Sequence, residues 1–248
     1  MNEVKRNREY WNDIANTGAN ASVIDPNDSK GFKNQYIASI RDQSIVGALD
    51  DDVNLVLDFG CGTGGLVHAL CQSGREVIGV DISIELLKLA RSREYDEAVL
   101  FVEYSGFPLP MTDNSVEAVV VYVVFAYMVD DAYFSKILTE IHRVLKPNGQ
   151  LLIIDQSRRK RHFEQQGMKV QRPVKEFENI LEESNFDCEG SQILRYGRFV
   201  FLPLIKSGLI SNKYFRTISK IENIFGKIRG LPLKTDYVEV LYRARARH

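Results

Sequence analysis

Asp58, Gly60, Gly62, Gly65 and Asp81 stand at spacings that build a ligand-binding turn. The apolar run NLVLD at 54–58 is short and stops at glycines, which predicts a buried strand, while 66–71 has helical periodicity. Between them Gly60, Gly62, Gly64 and Gly65 let backbone approach a ligand closely, because no Cβ stands in the way. A second apolar run at 76–81 ends in Asp81, where a doubly wound sheet presents a carboxylate to ribose hydroxyls. Gly60, Gly62 and Gly65 satisfy G-x-G-x-x-G, which alone leaves a dinucleotide such as NAD open. Asp58 extends the pattern to D-x-G-x-G, and a carboxylate aimed at the turn suits a cationic ligand and repels a pyrophosphate.

S-adenosylmethionine (SAM) carries a sulfonium and an ammonium, and VLDFGCGTGG at 56–65 resembles motif I of class I SAM-dependent methyltransferases. FPLPMTDNSVEAVV at 107–120 resembles the segment leading into that family's fourth strand, with Val116 and Glu117 replacing the customary Phe and Asp. EIHRVLKPNGQLLIID at 140–155 is similar to its helix, tight turn and fifth strand, with Asn148 in place of a glycine; Asn tolerates that turn conformation. The resemblance spans 54–155. It implies SAM as cofactor, no metal, and roles at matching positions. The turn, with Asp58, Gly60, Cys61 and Gly62, contacts the methionine moiety; Asp81 takes the ribose hydroxyls; Ile82 packs on adenine. Glu103 or Tyr104 lies near the adenine amino group, and Val121 sits at the end of the fourth strand. The ordinary reading of the acids is strand-end capping, and of Cys61 a small residue in a turn.

Methyl transfer asks mainly for geometry, since the sulfonium is already an activated leaving group. A hydroxyl acceptor adds a proton to remove. The candidates are Asp155 at the end of the fifth strand, His162 in the basic segment RRKRH at 158–162, and Tyr127 after the fourth strand. Each also has an ordinary structural reading.

The elements that position these residues alternate. Strands are expected near 54–59, 76–81, 98–103, 117–124 and 149–155, with helices near 64–73, 83–92 and 132–146, and such alternation implies right-handed crossovers and a mostly parallel sheet. A helix at 174–185 and strands near 188–195 and 237–244 complete the expected fold: a Rossmann-like α/β sheet of seven strands, the last antiparallel, with helices on both faces. Four segments follow: a helical cap at 1–49, a SAM-binding core at 50–198, an amphipathic basic insertion at 199–236, and the last core strand with the C-terminus at 237–248. In the insertion, Tyr214, Ile218, Ile221, Phe225 and Ile228 recur at helical spacing with Lys213, Arg216, Lys220 and Lys227 off the stripe. That stripe can bury against its own domain, over the acceptor pocket, against another subunit or in an anionic membrane surface.

A chain of 248 residues with net charge −1 buries a sizeable core and shows no bias toward a polyanionic partner. The charge is uneven: residues 1–155 carry 13 Lys and Arg against 23 acids, and 199–248 carry 10 against 3. Three cysteines, and a charged rather than apolar start, fit a reducing cytoplasm. YWNDIA at 10–15, DPNDSKGFKNQYI at 25–37 and the insertion are similar to bacterial methyltransferases of surface-polysaccharide biosynthesis, which implies a small-molecule or glycan acceptor, lipid-linked in some cases, and leaves a peripheral membrane contact through 199–229 open. In relatives a YW-type segment before the core folds over the site. Nucleic acid is not expected, because VFAY at 124–127 lacks the N/D-PP-Y/F motif of exocyclic-amine methyltransferases. The competing readings are a catalytically inactive SAM-binding partner and an NAD-dependent oxidoreductase on the same glycine turn.

Overall fold

In the computed structural model, which describes residues 3–16, 25, 28–104, 106–197, 199, 201–227 and 237–247, two helices precede the first strand: α1 (Glu3–Ala15) and α2 (Phe32–Val46). There follow β1 (Leu55–Phe59), α3 (Gly65–Gln72), β2 (Glu76–Asp81), α4 (Ile84–Arg91), β3 (Val99–Glu103), β4 (Val116–Tyr122), α5 (Asp131–Val144) and β5 (Leu145–Ser157). The rest comprises β6 (His162–Glu164), β7 (Lys169–Gln171), α6 (Val174–Glu183), β8 (Phe186–Tyr196), α7 (Leu202–Ser207), α8 (Phe215–Lys227) and β9 (Val238–Ala246). Seven strands form one sheet in the order β3-β2-β1-β4-β5-β9-β8. The last strand, β9, runs antiparallel to β5 and β8, and the other pairs are parallel. The expected fold class is the one observed.

Alternation along the central strands divides the core. Leu57, Val119, Val121 and Ile153 face α5 and α6, meeting Phe134, Ile141, Phe177 and Leu181. Val56, Ala118, Val120 and Ile154 face the opposite layer, meeting Tyr36, Ile37, Val67 and Leu70. Both faces of the central strands are covered, so their middle residues form unbroken apolar runs, 55–57, 118–121 and 151–154, rather than alternating with polar ones. Asn148 adopts φ +61°, the left-handed turn conformation its place before β5 requires. At the start of α4 the Ser83 hydroxyl accepts the Leu86 amide at 3.1 Å and donates to Asn12 of α1 at 2.7 Å. Ser83→Ala should therefore cost about 1 kcal/mol in urea unfolding, as loss of an N-cap does; an unchanged midpoint would contradict this.

Three features depart from expectation. The basic segment after β5 turns into a small hairpin, β6 paired with β7, rather than a loop. The connection from β8 to β9 carries the expected amphipathic helix, α8, and before it a further short helix, α7. Within α8 the buried stripe is Phe215, Ile218 and Glu222, packed against α2 and β8, whereas Tyr214 is 51% exposed. Tyr214 belongs to a short 3-10 turn before the helix, and the change of pitch there takes it off the stripe. The Phe225 side chain and Ile228, also expected on the stripe, lie outside the described residues, as do 228–236 of the insertion. The described part of the insertion thus packs on its own chain.

Candidate active site

A cavity of about 380 Å³ opens beyond the carboxyl ends of β1, β2 and β4. This is the switch point, where the strand order reverses between β1 and β4. Its floor is the glycine turn. The amides of Gly60 and Cys61 donate to the Val80 carbonyl at 2.8 and 3.0 Å, pinning the turn to β2. Gly60 has φ +79°, and a Cβ built there would overlap the Val124 side chain. Asp81 accepts the Gly62 amide at 2.8 Å and the Ser83 amide at 2.8 Å. Burial still pushes its carboxyl up to about 6, against those amides.

Asp58 ends β1 facing the same space and is 1% exposed. Its Oδ2 has no hydrogen-bond partner among the described residues. Burial pushes its carboxyl up to about 7, with Arg41 pulling the other way. Arg41 is itself held by Asp42 at 2.7 Å and lies 5.1 Å from the centre of the Tyr122 ring. A buried carboxylate oxygen left bare costs free energy, so a bare one at a ligand turn marks a place for a donor. An ammonium beside a glycine turn fits that vacancy in hydrogen bonding and charge. A pyrophosphate does not.

The helix α1 lies over the cavity. Asn7 Nδ2 donates to the Tyr127 carbonyl at 2.8 Å, and Arg8 Nε to the Ile82 carbonyl at 3.3 Å. Tyr10 stacks on Tyr127 at 6.1 Å between centroids, and Trp11 meets the same ring edge-on at 4.9 Å. The YW segment before the core therefore covers the site. The opposite wall is polar: Tyr122, Gln156, Gln165, Lys169, Arg195, Tyr237 and Glu239 line it. Lys169 Nζ donates to Gln156 Oε1 at 2.7 Å, and burial lowers its pKa. Arg195 grips Glu239 through two nitrogens, at 2.7 and 2.5 Å. Between floor and wall Val123 adopts φ +54°. A β-branched residue there is strained by about 1–3 kcal/mol, and such strain clusters at functional sites.

Of the residues singled out in the sequence, Asp58, Gly60, Cys61, Gly62, Asp81, Ile82, Tyr104 and Tyr127 line the cavity. Glu103 does not line it, its carboxylate lying 4.0 Å from Arg8 Nε. Val121 does not line it: strand alternation sends Val121 into the core, and Tyr122, Val123 and Val124 face the site. Asp155 is buried behind the wall, its oxygens accepting the Ala126 and Gln156 amides at 2.9 and 2.7 Å, so it is not presented to an acceptor. His162 is exposed on β6, with Glu164 at 4.0 Å. Burial pushes the Tyr127 phenol well above its ordinary value, which suits a donor rather than a base. Lys213, Arg216 and Lys220 of the insertion line no part of this cavity. Arg41, Lys169, Arg195 and Glu239 were not singled out, since a charged residue on an amphipathic helix or short strand ordinarily points to solvent.

Residues 57–153 match the model of the methyltransferase domain family. Over these residues, less than half of its length, the chain is similar to methyltransferase domains of the class I, SAM-dependent kind, which implies SAM as the cofactor. A demethylmenaquinone methyltransferase of Thermus thermophilus is 32% identical over 112 residues, which cover 44% of this chain and 50% of that protein. The chain thus spans about half the length of the curated relatives it matches. Among solved structures, a SAM-dependent methyltransferase of Leishmania major superposes with TM-score 0.67 at 14% identity, over 98% of this chain and 82% of that one. The [4+2]-cyclase SpnF superposes with TM-score 0.60 at 19% identity, over 84% and 82%. The fold is shared by both, so reaction type must be argued from the site.

Proposed function

We propose that the chain transfers a methyl group from SAM to a polar small-molecule acceptor, with a hydroxyl as the receiving group. The observation that carries this reading is the partnerless oxygen of Asp58 over the glycine turn, at one end of a cavity whose other end is a wall of polar side chains. When bound, SAM supplies an electrophilic methyl on its sulfonium. Asp58 would hold the ammonium, and Asp81, whose carboxylate has lone pairs beyond the two amide bonds, would take the ribose hydroxyls. Ile82 and Tyr104 would border adenine, with Glu103 beside Tyr104. Tyr10, Trp11 and Tyr127 exclude water from above, and the wall orients the acceptor, so rate comes from proximity and orientation. Tyr127 would donate a hydrogen bond to the acceptor, whose hydroxyl proton would be lost to water as the oxygen takes the methyl.

The division into a cap at 1–49, a core at 50–198, an insertion at 199–236 and a final strand at 237–248 belongs to the same reading. So does a sugar hydroxyl of a surface-polysaccharide precursor as acceptor, met in the cytoplasm or at the membrane face; no helix among the described residues is long and apolar enough to cross a membrane. A second reading, methylation of an aromatic carbon, draws on the demethylmenaquinone methyltransferases among the relatives and on the rings of Tyr10, Trp11 and Tyr127. The family match ends at 153, before Gln156, Lys169, Arg195, Tyr237 and Glu239, so the wall itself weighs toward the polar acceptor.

Labelled SAM offered with sugars, nucleotide sugars, lipid-linked glycans and quinones decides between them. Label on a hydroxyl is expected; label on a quinone carbon selects the second reading, and SAM binding without transfer to any acceptor leaves an inactive binding module. Asp81→Ala should weaken SAM by about 1–3 kcal/mol, the worth of hydrogen bonds to a charged group. Calorimetry showing unchanged affinity would remove Asp81 from the cofactor site.

A further inference from the structure

Arg195 is 2% exposed, yet only part of its guanidinium is used. Nε and Nη2 take Glu239, Nη2 also reaches the Tyr237 hydroxyl at 3.3 Å, and Nη1 has no partner among the described residues. Arg195 lines the cavity, and so does Lys169, a residue 8% exposed whose ammonium donates to the amide oxygen of Gln156 rather than to a carboxylate. The two cations are close enough that Arg195 helps to lower the Lys169 pKa. Glu239 faces both cations from the same wall, Glu164 and Asp155 also act on Lys169 and Glu222 on Arg195, so the wall carries no excess of positive charge and what it lacks is an acceptor for Arg195 Nη1. A buried guanidinium with a bare N–H facing a cavity costs free energy until an acceptor oxygen meets it.

We propose that this wall is an oxyanion subsite: the acceptor carries a phosphate or carboxylate that Arg195 Nη1 and Lys169 Nζ bind together. The proposal rests on the reading of the cavity as a methyl-transfer site and names its substrate class, a hydroxylated acid or phosphate ester. Arg195 supplies a fixed planar donor, held in place by Glu239, and Lys169 a point charge on a flexible stem. The anion would then place the rest of the acceptor toward Tyr122 and Tyr127, across the cavity from the glycine turn. Asp58 and Asp81 at the other end repel the same anion, so the two ends sort a cationic cofactor from an anionic acceptor.

The test uses the full chain with inorganic phosphate and, separately, formate. Trp11, the chain's single tryptophan, packs against Tyr127, whose ring lies 5.7 Å from Lys169 Nζ, so its fluorescence reports on the subsite. Saturable phosphate binding is expected in the wild type. It should weaken at least tenfold in Lys169→Gln, which keeps a hydrogen-bonding side chain without the charge. It should weaken equally in the double variant Arg195→Gln with Glu239→Gln, which removes the buried pair together so that no bare charge unfolds the wall. SAM affinity, measured in parallel by calorimetry, is expected to hold within about twofold in Lys169→Gln. Saturation by phosphate but not formate selects a phosphate ester, and the reverse a carboxylate. No saturable binding of either, or binding unchanged in both variants, overturns the subsite. Wild-type protein that binds phosphate but not SAM leaves the subsite standing and overturns the methyl-transfer reading instead.

Discussion

Asp58→Asn is expected to make the protein more stable at pH 8 while making it a poorer SAM binder. The Asp58 carboxyl is pushed by burial from 3.8 up to about 7. Between those values the folded chain holds a proton that the unfolded chain has released, so stability falls as pH rises through the window and stays lower above it. Asn has nearly the same shape and nothing to ionise. Its gain should reach about 2–4 kcal/mol in urea unfolding at pH 8 and shrink toward zero at pH 4. SAM affinity should fall by about tenfold to a hundredfold, because a charge-assisted hydrogen bond to the ammonium becomes a neutral one. In the wild type, affinity should climb from pH 6 to pH 8 as Asp58 ionises, and in the variant that climb should flatten. A variant less stable than wild type at pH 8, or one that binds SAM as tightly, would show that Asp58 is structural. On the proposed reading, the stability that Asp58 costs is offset by what it does for the ligand, the usual relation between strain at a site and function.

The floor of the site was legible in the sequence and its wall was not, for a physical reason. Gly60, Gly62 and Asp81 are bound to short-range pattern: a strand must end, a turn must be free of Cβ atoms, and a second strand must deliver a carboxylate beside it. The central strands were equally plain, because burial on both faces gives unbroken apolar runs such as 118–121. The wall comes from far apart in the chain, Lys169 from a three-residue strand, Arg195 and Glu239 from neighbouring strands 44 residues apart in sequence. None of these has a periodicity that distinguishes a buried charge from a solvated one. Asp155 shows the converse failure. Its place at a strand end resembles that of Asp58 and Asp81, yet it does not line the cavity and turns instead to the Ala126 and Gln156 amides. Tyr214 falls off the stripe of α8 because it sits in a 3-10 turn at 212–214, a change of pitch that apolar spacing does not disclose, while Ile218 stays on it.

Arg172→Met should be among the most destabilising single changes in the chain, about 3–5 kcal/mol in urea unfolding. Arg172 follows β7 and is 2% exposed. Its guanidinium donates to the Phe125 carbonyl at 3.1 Å, the Met128 carbonyl at 2.6 Å and Asp131 at 2.7 Å, and lies 4.8 Å from the centre of the Phe134 ring. Asp131 is half-exposed and keeps Arg161, so most of the cost falls on the two carbonyls, which lose a charged donor in a place water does not reach. Met fills the volume of the stem but donates nothing. Arg172→Lys should recover only part of the loss, because one ammonium cannot reproduce a planar fork that serves both carbonyls and a carboxylate. Phe125 and Met128 flank Tyr127, so any folded fraction of the Met variant should also show altered Trp11 emission, the two rings being in edge contact. A Met variant within about 1 kcal/mol of wild type would mean that the carbonyls find other donors, and that the small hairpin does not hold the Tyr127 turn over the cavity.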